Sequence, residues 1–479
     1  MIVLVVGAIV VGWLGWRSRD WPFVHDAPLM HYVAWRIWEG AVAYRDVFDM
    51  NFPGVYLLHL FVLTALGTSD LAWRVFDLSW LGLTCALIGV IVGAWGRAAA
   101  VGAGLTFALY HLAGSAWQAG QRDFLLCAFL LAGASGVARW LESGSRPALA
   151  SGGLALGASM TIKPHAALFT VALGMLIVVR AWRRGAGTRA APGLFVAGVV
   201  AAPAAVVGWL AGMGALPAWR AILLDYLVPL YSRLGHTSEW LIYRPALWIA
   251  LGAGVAISIV SALAAGRFGA RHAVVTVGVM YGVVHFVGQA KGWEYHLYPL
   301  AAFAIVLLFA EVQPALARLR WPLAVPLLLC VLVTASLLTA KARDVSDAGW
   351  EREKAERARR LADELAARLA PGDTVQVLDT SGGGIHALLR LRVQQPTRFI
   401  YDFHFFHDAG HPTIRVLRAE LVRDLAARPP RLIVVFAQGW PAGGYERVDT
   451  FPELREWLAG YDLVRPGPEY RIYAQRDRS

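Results

Sequence analysis

Long apolar runs recur from Ile2 to Ala340, each near the roughly 20 residues that span a hydrocarbon core about 30 Å thick. With 57% hydrophobic and 16% charged residues, the chain is too apolar and too poor in charge for an ordinary cytosolic enzyme. The fold class it specifies is a polytopic α-helical membrane protein.

The net charge of +11 would suit nucleic acid, but the arginines sit in short loops between apolar runs and read as topology signals, so no nucleic-acid partner is expected. Cys85, Cys127 and Cys330 each lie inside an apolar run without CxxC spacing, which indicates neither a disulfide framework nor a zinc site. The first run, Ile2 to Trp16, has no basic segment before it and no clear small-residue cleavage site after it, and reads as a first membrane helix.

Arg180, Arg183, Arg184 and Arg189 form the densest cationic loop, which the positive-inside rule places in the cytoplasm. Counting forward, helices near 190–214, 246–265, 273–289, 297–312 and 321–340 put the 215–245 loop, the Lys291 to His296 loop and everything after Ala340 outside. Counting backward, helices near 165–182, 148–162, 124–140, 99–116 and 72–94 keep Arg97, Arg139 and Arg146 inside. Gly54 to Gly67 has 14 residues and carries His59, so it reads as an interfacial segment of the outer face. The expectation is about 11 spans, a cytoplasmic N-terminus and a first outer loop over 17–71. Residues 1–340 form the membrane domain and residues 341–479 a soluble domain outside a bacterial plasma membrane.

From Lys341 the composition turns polar. A charged helical stretch over 350–370 is followed by short apolar runs at Thr374–Leu378, Phe399–Tyr401, Leu432–Phe436 and Tyr470–Ala474, alternating with amphipathic stretches near 413–427 and 451–459. That alternation predicts a small α/β domain.

Polar residues gather on the outer loops. In the first, apolar residues recur at Leu29, Met30, Val33, Ala34, Ile37 and Trp38, which makes one face of a helix lying on the membrane. Asp26 begins that helix, where a carboxylate is favoured as a cap; a catalytic role is the competing reading. Further on stands Tyr44-Arg45-Asp46-Val47-Phe48-Asp49-Met50-Asn51-Phe52-Pro53-Gly54.

The two stretches together resemble the first outer loop of the GT-C class of membrane glycosyltransferases, which includes protein O-mannosyltransferases and lipid A aminoarabinose transferases. The pattern runs from Asp26 through Tyr32, Ala34, Ile37, Gly40, Tyr44, Arg45, Asp46, Asp49 and Pro53 to Gly54. It continues in Trp73-Arg74, Gln121-Arg122-Asp123, Lys163-Pro164-His165 and Lys291 to Pro299. Two departures stand out: Ala27 follows Asp26 where many relatives have a second acid, and Asn51 stands where some have Lys.

The resemblance implies an enzyme that takes a sugar from a polyprenyl-phosphate carrier and passes it, with inversion, to a hydroxyl on the outer face. The acceptor is a lipid, a polysaccharide or a protein, and membrane lipids surround the chain. A hydroxyl nucleophile needs a base within hydrogen-bond reach, and Asp26 is the residue assigned to it. Asp123, where relatives often carry an acid, is the second catalytic candidate and orients the acceptor or the cation beside it. Charge building on the leaving phosphate calls for fixed cations or donors. Arg122, Lys163, His165, Lys291 and His296 fall on the outer side, although cations near helix ends also snorkel to headgroups.

Tyr44, Arg45, Asp46 and Asp49 are read as contacting the acceptor or shaping the loop. The D-x-x-D of Asp46 and Asp49 can hold a divalent cation through oxygens, while pairing with Arg45 is the favoured reading. His404, His407 and His411 lie within a few positions of Asp402 and Asp408; without a second ligand group the segment reads as an aromatic loop facing the acceptor. Ser381-Gly382-Gly383-Gly384 lacks dinucleotide spacing and reads as a flexible turn.

The rival class is a transporter or flippase of a lipid-linked saccharide. Such proteins place charged groups near the bilayer midplane in broken helices, and Asp77, His111 and His285 within apolar runs keep that reading open.

Overall fold

The computed structural model describes residues 2–184, 188–237, 245–345, 349–440 and 443–476. Residues 185–187 of the cationic loop lie outside them, as do 238–244. Among the described residues nine helices are long and apolar enough to cross a membrane, from Ile2–Asp20 to Trp321–Arg343. The chain is a multi-pass membrane protein. Two further expected spans form the helices Arg97–Leu112 and Arg146–Ile162, of 16 and 17 residues. The segment read as interfacial folds as Pro53–Ala65, 13 residues long, with Pro53 at a first-turn position where its missing N–H leaves no bond unmade.

The 215–245 stretch, expected to be a loop, is a helix over most of its first half. Leu216–Ala221 runs directly into a π-helix, Ile222–Tyr231. Pro217, Asp225 and Pro229 interrupt the apolar run, and Asp225 and Pro229 fall within the wider π turns.

Small residues let the helices approach closely. A Cβ at Gly157 would stand 2.1 Å from the Val199 carbonyl oxygen, so Arg146–Ile162 and Ala191–Gly212 touch backbone to backbone. That contact fixes the helix end from which Lys163 projects. Asp77 and His111 are also accounted for by packing. Asp77 pairs with Arg74, accepts from His111 Nε2 at 3.0 Å and receives the Gly120 N–H at 2.7 Å, while His111 Nδ1 meets Tyr298 Oη at 2.9 Å. This enclosed network anchors the loop that leads into Gln121, Arg122 and Asp123.

The soluble part opens with the helix Gly349–Ala366. Its sheet has the order β1-β2-β4-β3, with β1 Val375–Leu378, β2 Leu432–Phe436, β3 Tyr461–Arg465 and β4 Tyr470–Gln475. β1 and β2 are parallel, and β4 runs antiparallel to both β2 and β3. The helices Pro412–Ala427 and Pro452–Leu458 match the amphipathic stretches.

Two expectations are corrected here, and one strand was not foreseen. Phe399–Tyr401 forms a single bridge, Phe48 with Phe399, in place of a strand. β3 escaped the sequence reading because Asp462 and Arg465 break Tyr461, Leu463 and Val464 into no more than a two-residue apolar run. The Ser381–Gly384 turn is held, since the Asp379 carboxylate accepts from the N–H groups of Gly382, Gly383 and Gly384 at 2.8, 3.0 and 2.9 Å. Gly383 sits at φ +127°, a conformation that disfavours a side chain.

The first loop is stitched to this C-terminal part. Tyr32 Oη donates to the Val393 carbonyl and accepts from the Gln395 N–H, both at 3.2 Å. The Phe48 N–H donates to the Arg398 carbonyl at 2.7 Å.

Candidate active site

A cavity of about 750 Å³ opens where the loops bearing Asp26, Arg122 and Trp293 meet the C-terminal part. Its membrane side presents His25, Asp26, Trp117, Arg122, Tyr231, Trp293 and Tyr295; its soluble side presents Trp350, Lys354, Arg357, Ser381, Tyr401 and Trp440. Aromatic rings with a few convergent charges are the usual lining of a small-molecule site.

Asp26 is the first residue of the helix Asp26–Trp38. Its carboxylate does not serve that helix as a cap: Oδ2 accepts from Gln121 Nε2 and Arg122 Nη2, each at 3.3 Å, and it faces the cavity. Burial opposes ionisation, but His25, then Arg122, the Gln121 hydrogen bond and last Lys354 hold the carboxyl below its usual range. The preceding residue, His25, has φ +65° and ψ −122°, a strained conformation of the kind that clusters at functional sites. Burial brings its imidazole down to about 4 against the pull of Asp26, so it is neutral near neutral pH.

The five residues read as phosphate contacts separate. Arg122 lines the cavity. Lys291 stands behind the cavity wall, its Nζ 3.6 Å from the centre of the Tyr231 ring and 5.2 Å from that of Trp293. Its ammonium is buried and has no hydrogen-bond acceptor among the described residues. Burial, then the charges of Arg122 and Lys163, bring it down to about 7.

Lys163, by contrast, is spoken for: Nζ lies 2.8 Å from Asp123 Oδ2 and 2.8 Å from Gln289 Oε1. His285 Nε2 meets the other Asp123 oxygen at 2.6 Å. Asp123 is fully enclosed in this cluster and does not line the cavity. His296 packs edge-on against Tyr295 at 4.7 Å, and His165 is exposed, its ring 5.7 Å from that of His285.

The first-loop candidates shape the loop. Tyr44 Oη donates to the Asn51 carbonyl at 2.7 Å, and Arg45 pairs with Asp46 at 2.8 Å. Asp49 is buried and accepts from Tyr56 Oη at 2.7 Å and Asn51 Nδ2 at 2.9 Å; burial raises its carboxyl against those bonds. Asp46 and Asp49 thus turn to different partners. Among the described residues no three His, Cys, Asp or Glu side chains are grouped to hold a metal ion. His404 and His407 share the Tyr226 hydroxyl at 2.7 and 3.0 Å, and His411 accepts from the Thr413 N–H at the start of its helix.

No family model and no curated protein matches the chain. Among solved structures, ArnT from Cupriavidus metallidurans bound to undecaprenyl phosphate superposes with a TM-score of 0.64, covering 99% of this chain and 97% of that one at 13% identity. The apo structure of the same protein gives 0.61 at the same coverage and identity. The chain has the ArnT fold. ArnT is a lipid A aminoarabinose transferase of the GT-C class, so the resemblance read from the outer loops is borne out as fold. Within this ArnT fold, sequence reasoning missed the wall supplied by the soluble part, above all Lys354 and Trp440. It also passed over Tyr231, which the π-helix presents to the cavity.

Proposed function

We propose that this protein is an inverting glycosyltransferase that moves a sugar from a polyprenyl-phosphate carrier to a hydroxyl of a cell-envelope acceptor, at the outer face of a bacterial plasma membrane. The observation that carries the reading is the convergence of Asp26 and Arg122 on one aromatic cavity beside the apolar helices, with the Lys291 ammonium directly behind its Tyr231 and Trp293 wall. The undecaprenyl phosphate held by a protein of the same fold supports it.

Asp26 takes the proton as the acceptor oxygen attacks the anomeric carbon. The bond from that carbon to the phosphate oxygen breaks, and its electron pair leaves with the lipid phosphate. Before the donor arrives Arg122 binds Asp26; a phosphate competes for that guanidinium and frees the carboxylate to act as base. The Lys291 ammonium, lacking an acceptor of its own, meets the charge that builds on the phosphate. A single displacement from the face opposite the leaving group inverts the anomeric centre. The soluble domain, on the same outer side, faces the acceptor.

The test is transfer of radiolabelled sugar from polyprenyl-phosphate sugars in membranes carrying the native protein or Asp26→Asn, followed by extraction of lipid, polymer and protein fractions. Labelled product lost by Asp26→Asn in folded protein is expected, with a fall on the order of 10² to 10⁴. Transfer at the native rate by Asp26→Asn would overturn the reading.

A further inference from the structure

Lys354 projects from the helix Gly349–Ala366 of the soluble part. Its Nζ lies 3.0 Å from Nδ1 of His25 and 3.4 Å from Oγ of Ser381. The other ring nitrogen of His25, Nε2, lies 3.7 Å from Asp26 Oδ1. A lysine ammonium only donates, so Nδ1 accepts from it and the ring proton of neutral His25 sits on Nε2, toward the carboxylate. Each link is braced. The His25 ring packs edge-on against Trp117 and Trp350, at 5.8 and 6.5 Å. Ser381 belongs to the turn that Asp379 pins through its backbone amides.

We propose that Lys354, acting through His25, is a positioning residue for Asp26, so that the soluble domain completes the catalytic group instead of merely covering it. This rests on the reading of Asp26 as the base. Neither the resemblance nor the ArnT fold assigns a role to His25 or Lys354. The ionisable groups facing His25 are Asp26 beside it, Lys354 from the soluble helix and Arg122 from the second outer loop. A positive Lys354 also favours the ionised Asp26. Its loss therefore turns the imidazole loose and makes Asp26 easier to protonate.

The experiment uses the full-length protein with ¹⁵N-labelled imidazoles, His25 being assigned by its loss in His25→Gln. The native protein is expected to show Nδ1 unprotonated and Nε2 protonated at His25, and Lys354→Met to lose that preference. In the transfer assay, Lys354→Met lowers kcat by about 10- to 100-fold, the size of effect that a misplaced catalytic group produces. KM for the polyprenyl-phosphate sugar stays unchanged, and the acid limb of the kcat profile moves to higher pH. Lys354→Arg restores the limb.

A purely structural lysine would reduce the yield of folded protein and leave both the tautomer and the limb where they are. Folded Lys354→Met with the native tautomer and an unmoved limb overturns this inference while leaving the function reading intact. Native membranes that transfer no sugar overturn the function reading itself, and the tautomer measurement still decides whether Lys354 sets the His25 ring.

Discussion

Lys163 Nζ stands 2.8 Å from Asp123 Oδ2, and the pair is sealed beneath the cavity by His285. Removing one partner of an enclosed pair leaves an uncompensated charge, at a cost of about 3–5 kcal/mol. Lys163→Met is therefore expected to lower the thermal unfolding midpoint in detergent sharply. The double variant Lys163→Met/Asp123→Asn should recover part of that loss, and a double variant as unstable as the single one would contradict the assignment.

On the proposed function, Lys291 gives the reaction a pH dependence of definite sign. With its ammonium brought down to about 7 by burial and by Arg122 and Lys163, the free enzyme carries the charge below that pH and loses it above. The phosphate needs the charged form, so kcat/KM for the polyprenyl-phosphate sugar falls as pH rises through about 7. Lys291→Arg keeps its charge throughout and should flatten that limb, which initial-rate profiles of the two proteins will reveal.

In the soluble part, Arg447 Nη2 donates to Asp402 Oδ2 at 2.6 Å and Nη1 to the Phe436 carbonyl at 2.8 Å. Both side chains are buried. Arg447→Met strands the Asp402 carboxylate and should destabilise this part by about 3–5 kcal/mol, read as faster proteolysis between 349 and 476 with the membrane helices still intact.

Gly383→Ala places a side chain at φ +127°, for a cost of about 1–3 kcal/mol. The strain falls on the turn that carries Ser381, so the variant should raise hydrogen exchange of the Gly382 to Gly384 amides. Unchanged exchange would show that the Asp379 clamp absorbs the added methyl.

The membrane helices and the first-loop motif were legible because hydropathy and turn chemistry are local. The wall contributed by the soluble part was not. Trp350, Glu353, Lys354 and Arg357 fall at i, i+3, i+4 and i+7 and line the cavity together, but in an Arg/Glu-rich helix such a face looks like any solvated one. The sequence reading groups Lys163 with Lys291 as phosphate contacts and favours Lys163; what separates them is Asp123, which claims Lys163 and leaves Lys291 without an acceptor among the described residues. The Asp26 cap reading failed for the same reason, because its true partners lie 95 and 96 residues away.

The contacts that tie the first loop to the soluble part join residues far apart in time as well as in space. His25 and Lys354 are separated by 329 positions, and Tyr32 and Val393 by 361. A ribosome adding about 5–20 residues per second finishes the loop that bears Asp26 roughly 15 s to a minute before its partners exist. Through most of that interval the carboxylate has Gln121 and Arg122 within the chain but not Lys354 behind His25. On the proposed function, Asp26 gains its full setting only once synthesis has passed Lys354, and a chain cut short before that point lacks one wall of the cavity as well.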